Sequence, residues 1–137
     1  MTTQKLVWED KYSVGVVEID NQHKKIFDII NKLLDLISTN AAKESLGGVI
    51  ESLVAYKTEH FATEEKYFKE FNYEDAEEHV KEHNKFNEKL SEMKSKYPEL
   101  TIEFAFELID FLEDWLIIHL MTADQKYREC FKSHGLK

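Results

Sequence analysis

The sequence predicts an all-α protein, an up-down-up-down antiparallel four-helix bundle with an irregular N-terminal arm. Three observations lead there. One proline and four glycines in 137 residues, with 33% charged residues, suit helices better than sheets. Apolar residues recur at intervals of three and four along four long stretches, as on helices with one buried face. The segments joining A to B and B to C are short, which makes consecutive helices antiparallel neighbours. A chain of this length is expected to form one domain, residues 1–137, burying about two-thirds of its unfolded surface.

The arm, residues 1–18, carries Trp8, Tyr12, Val14, Val16 and Val17, apolar enough to pack on the bundle. Helix A is expected from near Asp20, as its N-cap, to Ser38, with Ile26, Phe27, Ile30 and Leu33 on a broad inner face. Helix B should run from Ala41 to Glu70 after a cap at Thr39 or Asn40. Gly47 and Gly48 near its start weaken it by about 1 kcal/mol each relative to alanine. Asn72 separates B from helix C, whose first turn is expected to hold Glu74 and Asp75, where carboxylates complement the helix dipole. Helix C extends to Lys96. Pro98 then breaks the pattern, Thr101 caps helix D, and D continues to Phe131 before Gly135.

The net charge of -9 argues against nucleic acid or an anionic membrane as partner, since phosphate is repelled. The N-terminal MTTQKLVWEDKY lacks the apolar run of a signal peptide, and no stretch approaches the roughly 20 apolar residues of a membrane span. Cys130 is the only cysteine, so no internal disulfide is expected and a cytoplasmic location is.

Chemistry enters where titratable residues interrupt the apolar faces. On helix C, His79 and His83 stand in line with Ala76, Phe86, Leu90 and Met93. Residues four apart differ by only about 40° in direction, so both rings can reach one point. Helix B repeats this with His60 and Glu64 in line with Val49, Leu53, Tyr56 and Tyr67. Helix D brings His119 behind Leu112, Trp115 and Leu116, with Asp124 five residues on, about 140° away on an ideal helix. That spacing requires either a local departure from α-helix or approach from opposite flanks. His23 lies near the start of helix A. In an alternating bundle, early positions in A and C share one end with late positions in B and D, so all seven residues fall at one depth.

Each pair has an ordinary reading by itself. His23 beside Gln22 and Lys24 suits a solvated first turn, and His60 with Glu64 suits a helix ion pair. His119 suits a satisfied core histidine, and Phe61, Phe86 and Trp115 suit plain core. Five histidines and two carboxylates at one depth do not fit those readings together, because buried polar groups without partners are costly. A metal centre accounts for all seven. His134, off every apolar stripe, reads as exposed, and Cys130 as packing or surface.

These residues carry a resemblance to the hemerythrins, in particular the single-domain bacterial members. The stretches from Trp8 to Val16, Asp20 to His23 and His60 to Glu65 match that family, as do His79 with His83 and the segment from Trp115 to Asp124. Leu120 departs from it, where isoleucine is frequent. The resemblance implies two non-haem irons, one held by His79, His83 and His119 and the other by His23 and His60. Glu64, Asp124 and an oxo or hydroxo group would bridge them. Five imidazole nitrogens, two bidentate carboxylates and a shared oxygen fill eleven of twelve octahedral positions, leaving one open on the iron of His23 and His60. Phe61, Phe86, Trp115, Leu116 and Leu120 would line a dry pocket for O2.

The function expected is therefore reversible O2 binding for storage, delivery or scavenging, and not catalysis. An O2-consuming enzyme or a reductase is the kind of protein partner such a carrier serves. The alternatives are an oxygen, redox or iron sensor and a weak di-iron redox enzyme, a peroxidase or nitric-oxide reductase. Ferritin-like oxygen-activating bundles use a glutamate three residues before a histidine. No histidine in this chain has one.

Overall fold

Four long helices enclose the core: α1 (Val17–Thr39), α2 (Lys43–Glu70), α3 (Ala76–Lys96) and α4 (Ile102–Trp115). A π-helical stretch, Leu116–Ala123, and two short helices, α5 (Asp124–Lys126) and α6 (Arg128–Ser133), continue the fourth. The structure, a computed structural model, describes residues 5–39, 43–97 and 99–137, and the side chains of all of these except 43, 44, 116 and 117. No strand occurs among the described residues. The expected helix B start at Ala41, the alternative cap at Asn40 and the break at Pro98 lie outside them. Helices α1 and α3 each pack against both α2 and α4, which closes a four-cornered bundle. No helix among the described residues is long and apolar enough to cross a membrane.

The first helix begins at Val17, earlier than expected, and Asp20 is not its N-cap. The Asp20 carboxylate instead reaches back to accept hydrogen bonds from the Ser13 hydroxyl and, at 2.8 Å, the Val14 N–H. It thereby ties the arm to the first turn. Gly15 between them has φ +80, a conformation that side chains disfavour. Val14 and Val16 are buried, but Val17 is 66% exposed and does not pack with the arm as expected. Farther out, the rings of Trp8 and Tyr12 pack on Phe27, and Asn31 exchanges two hydrogen bonds with the Leu6 backbone.

Helix ends follow local chemistry. At the close of α2, Asn72 adopts φ 52, its N–H donates to the Lys69 carbonyl, and the Tyr73 N–H donates to that of Phe68. This is the Schellman arrangement, sealed by the Phe68 and Tyr73 rings 5.0 Å apart. Gly135 ends α6 the same way, with bonds to Lys132 and from Leu136 to Phe131. Helix α3 begins at Ala76, so Glu74 and Asp75 precede it; Glu77 and Glu78 occupy its first turn and meet the same dipole requirement. Thr101 caps α4 as expected, its hydroxyl accepting the Phe104 N–H at 3.2 Å. Thr39 is the last residue of α1, its hydroxyl donating to the Asp35 carbonyl at 2.8 Å.

Two apolar clusters form the interior. The larger includes Ile30, Leu33, Leu53, Phe86, Leu108 and Leu112, and the smaller comprises Val14, Val16, Ile19, Phe68, Tyr73, Tyr127 and Phe131. The polar residues singled out in the sequence lie where the two clusters meet.

Candidate metal centre

All seven residues are buried: His23, His60, Glu64 and Asp124 at 0% exposure, His83 and His119 at 1%, and His79 at 4%. Their donor atoms form two overlapping groups, each within 4.8 Å: His79, His83, His119 and Glu64 in one, and His23, His60, Glu64 and Asp124 in the other. Both carboxylates face imidazoles of both groups. Glu64 Oε1 lies 2.9 Å from His83 Nε2, 3.4 Å from His79 Nε2 and 3.3 Å from His60 Nε2. Asp124 Oδ2 lies 2.9 Å from His23 Nε2 and 3.6 Å from His60 Nε2, while Oδ1 lies 2.8 and 2.9 Å from Nε2 of His79 and His119.

The backbone of the fourth helix resolves the awkward spacing of His119 and Asp124. A π-helix spans Leu116–Ala123, and the Asp124 N–H donates to the His119 carbonyl, a five-residue hydrogen bond. Widening the turn by one residue brings positions five apart onto one face. The departure from α-helix thus sits where the two side chains require it.

These donors satisfy one another only in part: His23 Nε2 is hydrogen-bonded to Asp124 Oδ2 and His83 Nε2 to Glu64 Oε1, both at 2.9 Å. His79 Nε2, His119 Nε2, Asp124 Oδ1 and Glu64 Oε2 are fully buried and make no hydrogen bond among the described residues. The close approaches of His79 and His119 to Asp124 are short but not aligned as hydrogen bonds. Atoms so placed point at a common centre rather than at each other. Buried orphans of this kind are rare in native proteins and call for an ion or water between them. Imidazole nitrogen and carboxylate oxygen are donors suited to iron, so the residues fit the group that the sequence implied.

The outward ring atoms are held as well. His60 Nδ1–H donates to Gln22 Oε1 at 2.9 Å, His83 Nδ1–H to Glu65 at 2.8 Å and His119 Nδ1–H to Glu82 at 3.0 Å. Those acceptors hold a proton on Nδ1, so that with a metal bound Nε2 would face it as a lone pair. The Gln22 amide is fixed in turn by donating to the Thr63 hydroxyl at 3.0 Å. None of these three was recognised as functional from sequence. Each is next in sequence to an inward residue, about 100° around its helix, where polar residues normally face water.

Burial is the largest influence on the charged groups, and the cluster works against it. It pushes Glu64 up, as does Asp124, but His60, His79 and His83 outweigh both and hold it at about 2. Asp124 is likewise held well below the usual carboxylate range by His119, His23 and His60 despite its burial. Burial lowers His60, whereas the nearby Asp124 and Glu64 carboxylates overcome it at His79, raised to about 10, and the same carboxylates raise His119. Without metal, protons on imidazole supply the positive charge that the carboxylates demand. A metal ion would replace them.

Aromatic rings wall the site. Phe61 stacks on His83 and Trp115 on His119, both at 3.9 Å between ring centres, and Phe86 meets both Phe61 and Trp115. Leu120 is buried beside them. The Leu116 side chain, also expected in this wall, lies outside the described residues. Tyr127 went unremarked in the sequence; it is fully buried, its ring 5.7 Å from that of His79. His134 is exposed and away from the cluster, its Nδ1 bonded to the Cys130 carbonyl.

Comparison with known proteins agrees. The family model described as "Hemerythrin HHE cation binding domain" matches residues 14–130. The chain is 36% identical over 124 residues to a bacteriohemerythrin of Pseudomonas aeruginosa, covering 89% of this chain and 78% of that one. It is 31% identical to one from Stenotrophomonas maltophilia (94% and 83% covered) and 30% to one from Methylococcus capsulatus (90% and 93%). With a buried His/Glu/Asp cluster of the kind that binds non-haem iron, and a match spanning nearly all of its length, the chain belongs to the hemerythrin family.

Proposed function

We propose that the protein, acting as a single domain over residues 1–137, binds O2 reversibly at a di-iron centre and serves in oxygen storage, delivery or scavenging. The observation that carries this reading is the pair of overlapping donor groups, sharing Glu64 and with Asp124 facing both, in which His79 Nε2, His119 Nε2, Glu64 Oε2 and Asp124 Oδ1 have no hydrogen-bond partner among the described residues. His79, His83 and His119 would hold one iron, His23 and His60 the other, and Glu64 and Asp124 would bridge them together with an oxo or hydroxo group. When bound, the iron pair supplies the electrons that let O2 be taken up and given back.

The protein's part is positional. Gln22, Glu65 and Glu82 orient three of the imidazoles so that their lone pairs face inward. Two carboxylates offset the charge of the ions in a region of low dielectric. His23 and His60 would supply only two imidazoles against three on the other side, so an open position for a ligand would fall on theirs. Phe61, beside both His60 and His83, and Phe86, Trp115 and Leu120 packed in the same core would keep water from the iron pair, favouring release of O2 over irreversible oxidation. The O2 partner is small and apolar, and an apolar wall admits it while rejecting ions.

His60→Ala tests the assignment against His134→Ala. The first should lower O2 uptake by the iron-loaded protein severely and the second should leave it unchanged. Equal uptake by the two variants would remove His60 from the site.

A further inference from the structure

Tyr56 carries a buried hydroxyl that this reading does not use. Its ring lies one helical turn before His60 and nearly parallel to that imidazole, at 14° and 5.4 Å between centres. It is 3% exposed and packs in the same core as Phe61, Phe86, Trp115 and Leu120. The hydroxyl makes no hydrogen bond, and neither does the buried indole N–H of Trp115. Leaving two such groups unsatisfied is costly, and a plain apolar wall would have used phenylalanine. Tyr56 and Trp115 therefore flank the centre from its two sides, stacked on His60 and His119 respectively, with their polar ends unpartnered.

The donor inventory says what these ends can do. An indole N–H only donates, whereas a phenol both accepts and donates. The unpartnered Tyr56 phenol therefore has a proton to give, which the Trp115 indole, a donor only, cannot take. No group among the described residues accepts that proton.

Resting on the di-iron reading above, we propose that the Tyr56 hydroxyl donates a hydrogen bond to the small ligand held beside His23 and His60, and so selects ligands that gain negative charge on binding. Tyr56 is then a positioning and specificity residue. It favours O2 and small anions over neutral diatomics.

The test compares iron-loaded wild type with Tyr56→Phe, using O2 for release rates and azide as an anionic probe of the oxidised protein. Removing a charge-assisted hydrogen bond should speed O2 release and weaken azide binding by roughly tenfold each, with iron content unchanged. The infrared azide stretch of the unmodified protein should shift between H2O and D2O, since azide has no proton of its own, and the shift should vanish in Tyr56→Phe. Normal O2 and azide binding by wild type with no change in the variant would overturn the role of Tyr56 alone. A wild type that takes up neither ligand would overturn both this inference and the di-iron reading. Should the variant fail to fold, an azide stretch in wild type that is identical in H2O and D2O still overturns the proposal.

Discussion

Glu82 offers a test of how far the protein controls its metal from outside the inward cluster. Its carboxylate accepts the His119 Nδ1–H at 3.0 Å, with the glutamate 34% and the histidine 1% exposed. Glu82→Ala leaves a buried ring nitrogen without an acceptor and frees the ring to turn. A hydrogen bond to a charged group contributes about 1.5–3 kcal/mol when protected from water. One-third exposure of the carboxylate allows solvent to screen it, so the low end applies. About 1.5 kcal/mol corresponds to roughly tenfold in affinity, within the range seen when such outer partners are removed. Competition against a chromophoric chelator measures it directly. Glu82→Gln, which keeps an acceptor but no charge, should fall between Glu82→Ala and wild type. Glu78→Ala is the control, one turn earlier on α3 and paired with Lys81 on the surface. Equal metal affinity for Glu82→Ala and Glu78→Ala would refute the claim that Glu82 orients a ligand.

Two further outcomes follow from the same geometry. In the metal-free protein, Glu64 is held at about 2 against an ordinary 4.5, so its stabilising share is present above 4.5 and lost as pH falls toward 2. His79 is raised to about 10 from 6.5, so its share is present below 6.5 and lost as pH rises toward 10. Denaturant midpoints of the metal-free protein should therefore peak between about 4.5 and 6.5, whereas the metal-loaded protein should gain stability from pH 5 to 8 as protons stop competing; parallel profiles for the two forms would contradict this. Thr101→Ala should lower stability by about 1 kcal/mol, read from urea midpoints, because the Phe104 N–H loses its acceptor.

The inward residues were legible because they violate an apolar pattern that is otherwise regular. His79 and His83 lie in the same stripe as Phe86 and Leu90, and only a shared partner reconciles imidazole with that environment. Depth along an alternating bundle then aligned His23, His60 and His119 with them. The five-residue gap to Asp124 signalled a local fault in helix D but left two solutions open, and only the backbone shows that the turn widens. Gln22, Glu65 and Glu82 were hidden for the opposite reason: as polar residues on the flanks of amphipathic helices, they look like solvated surface. The early start of α1 escaped notice because Asp20 resembles an N-cap, while its carboxylate in fact serves the preceding turn through Ser13 and Val14.

Reversible oxygen binding is tested most directly by the visible spectrum of the anaerobically reduced, iron-loaded protein as air is admitted and then removed. A colourless sample should gain a charge-transfer band in air and lose it on degassing, over repeated cycles. A band that decays to a stable ferric spectrum, and is not restored by degassing, would contradict a carrier and point to a sensor or redox enzyme.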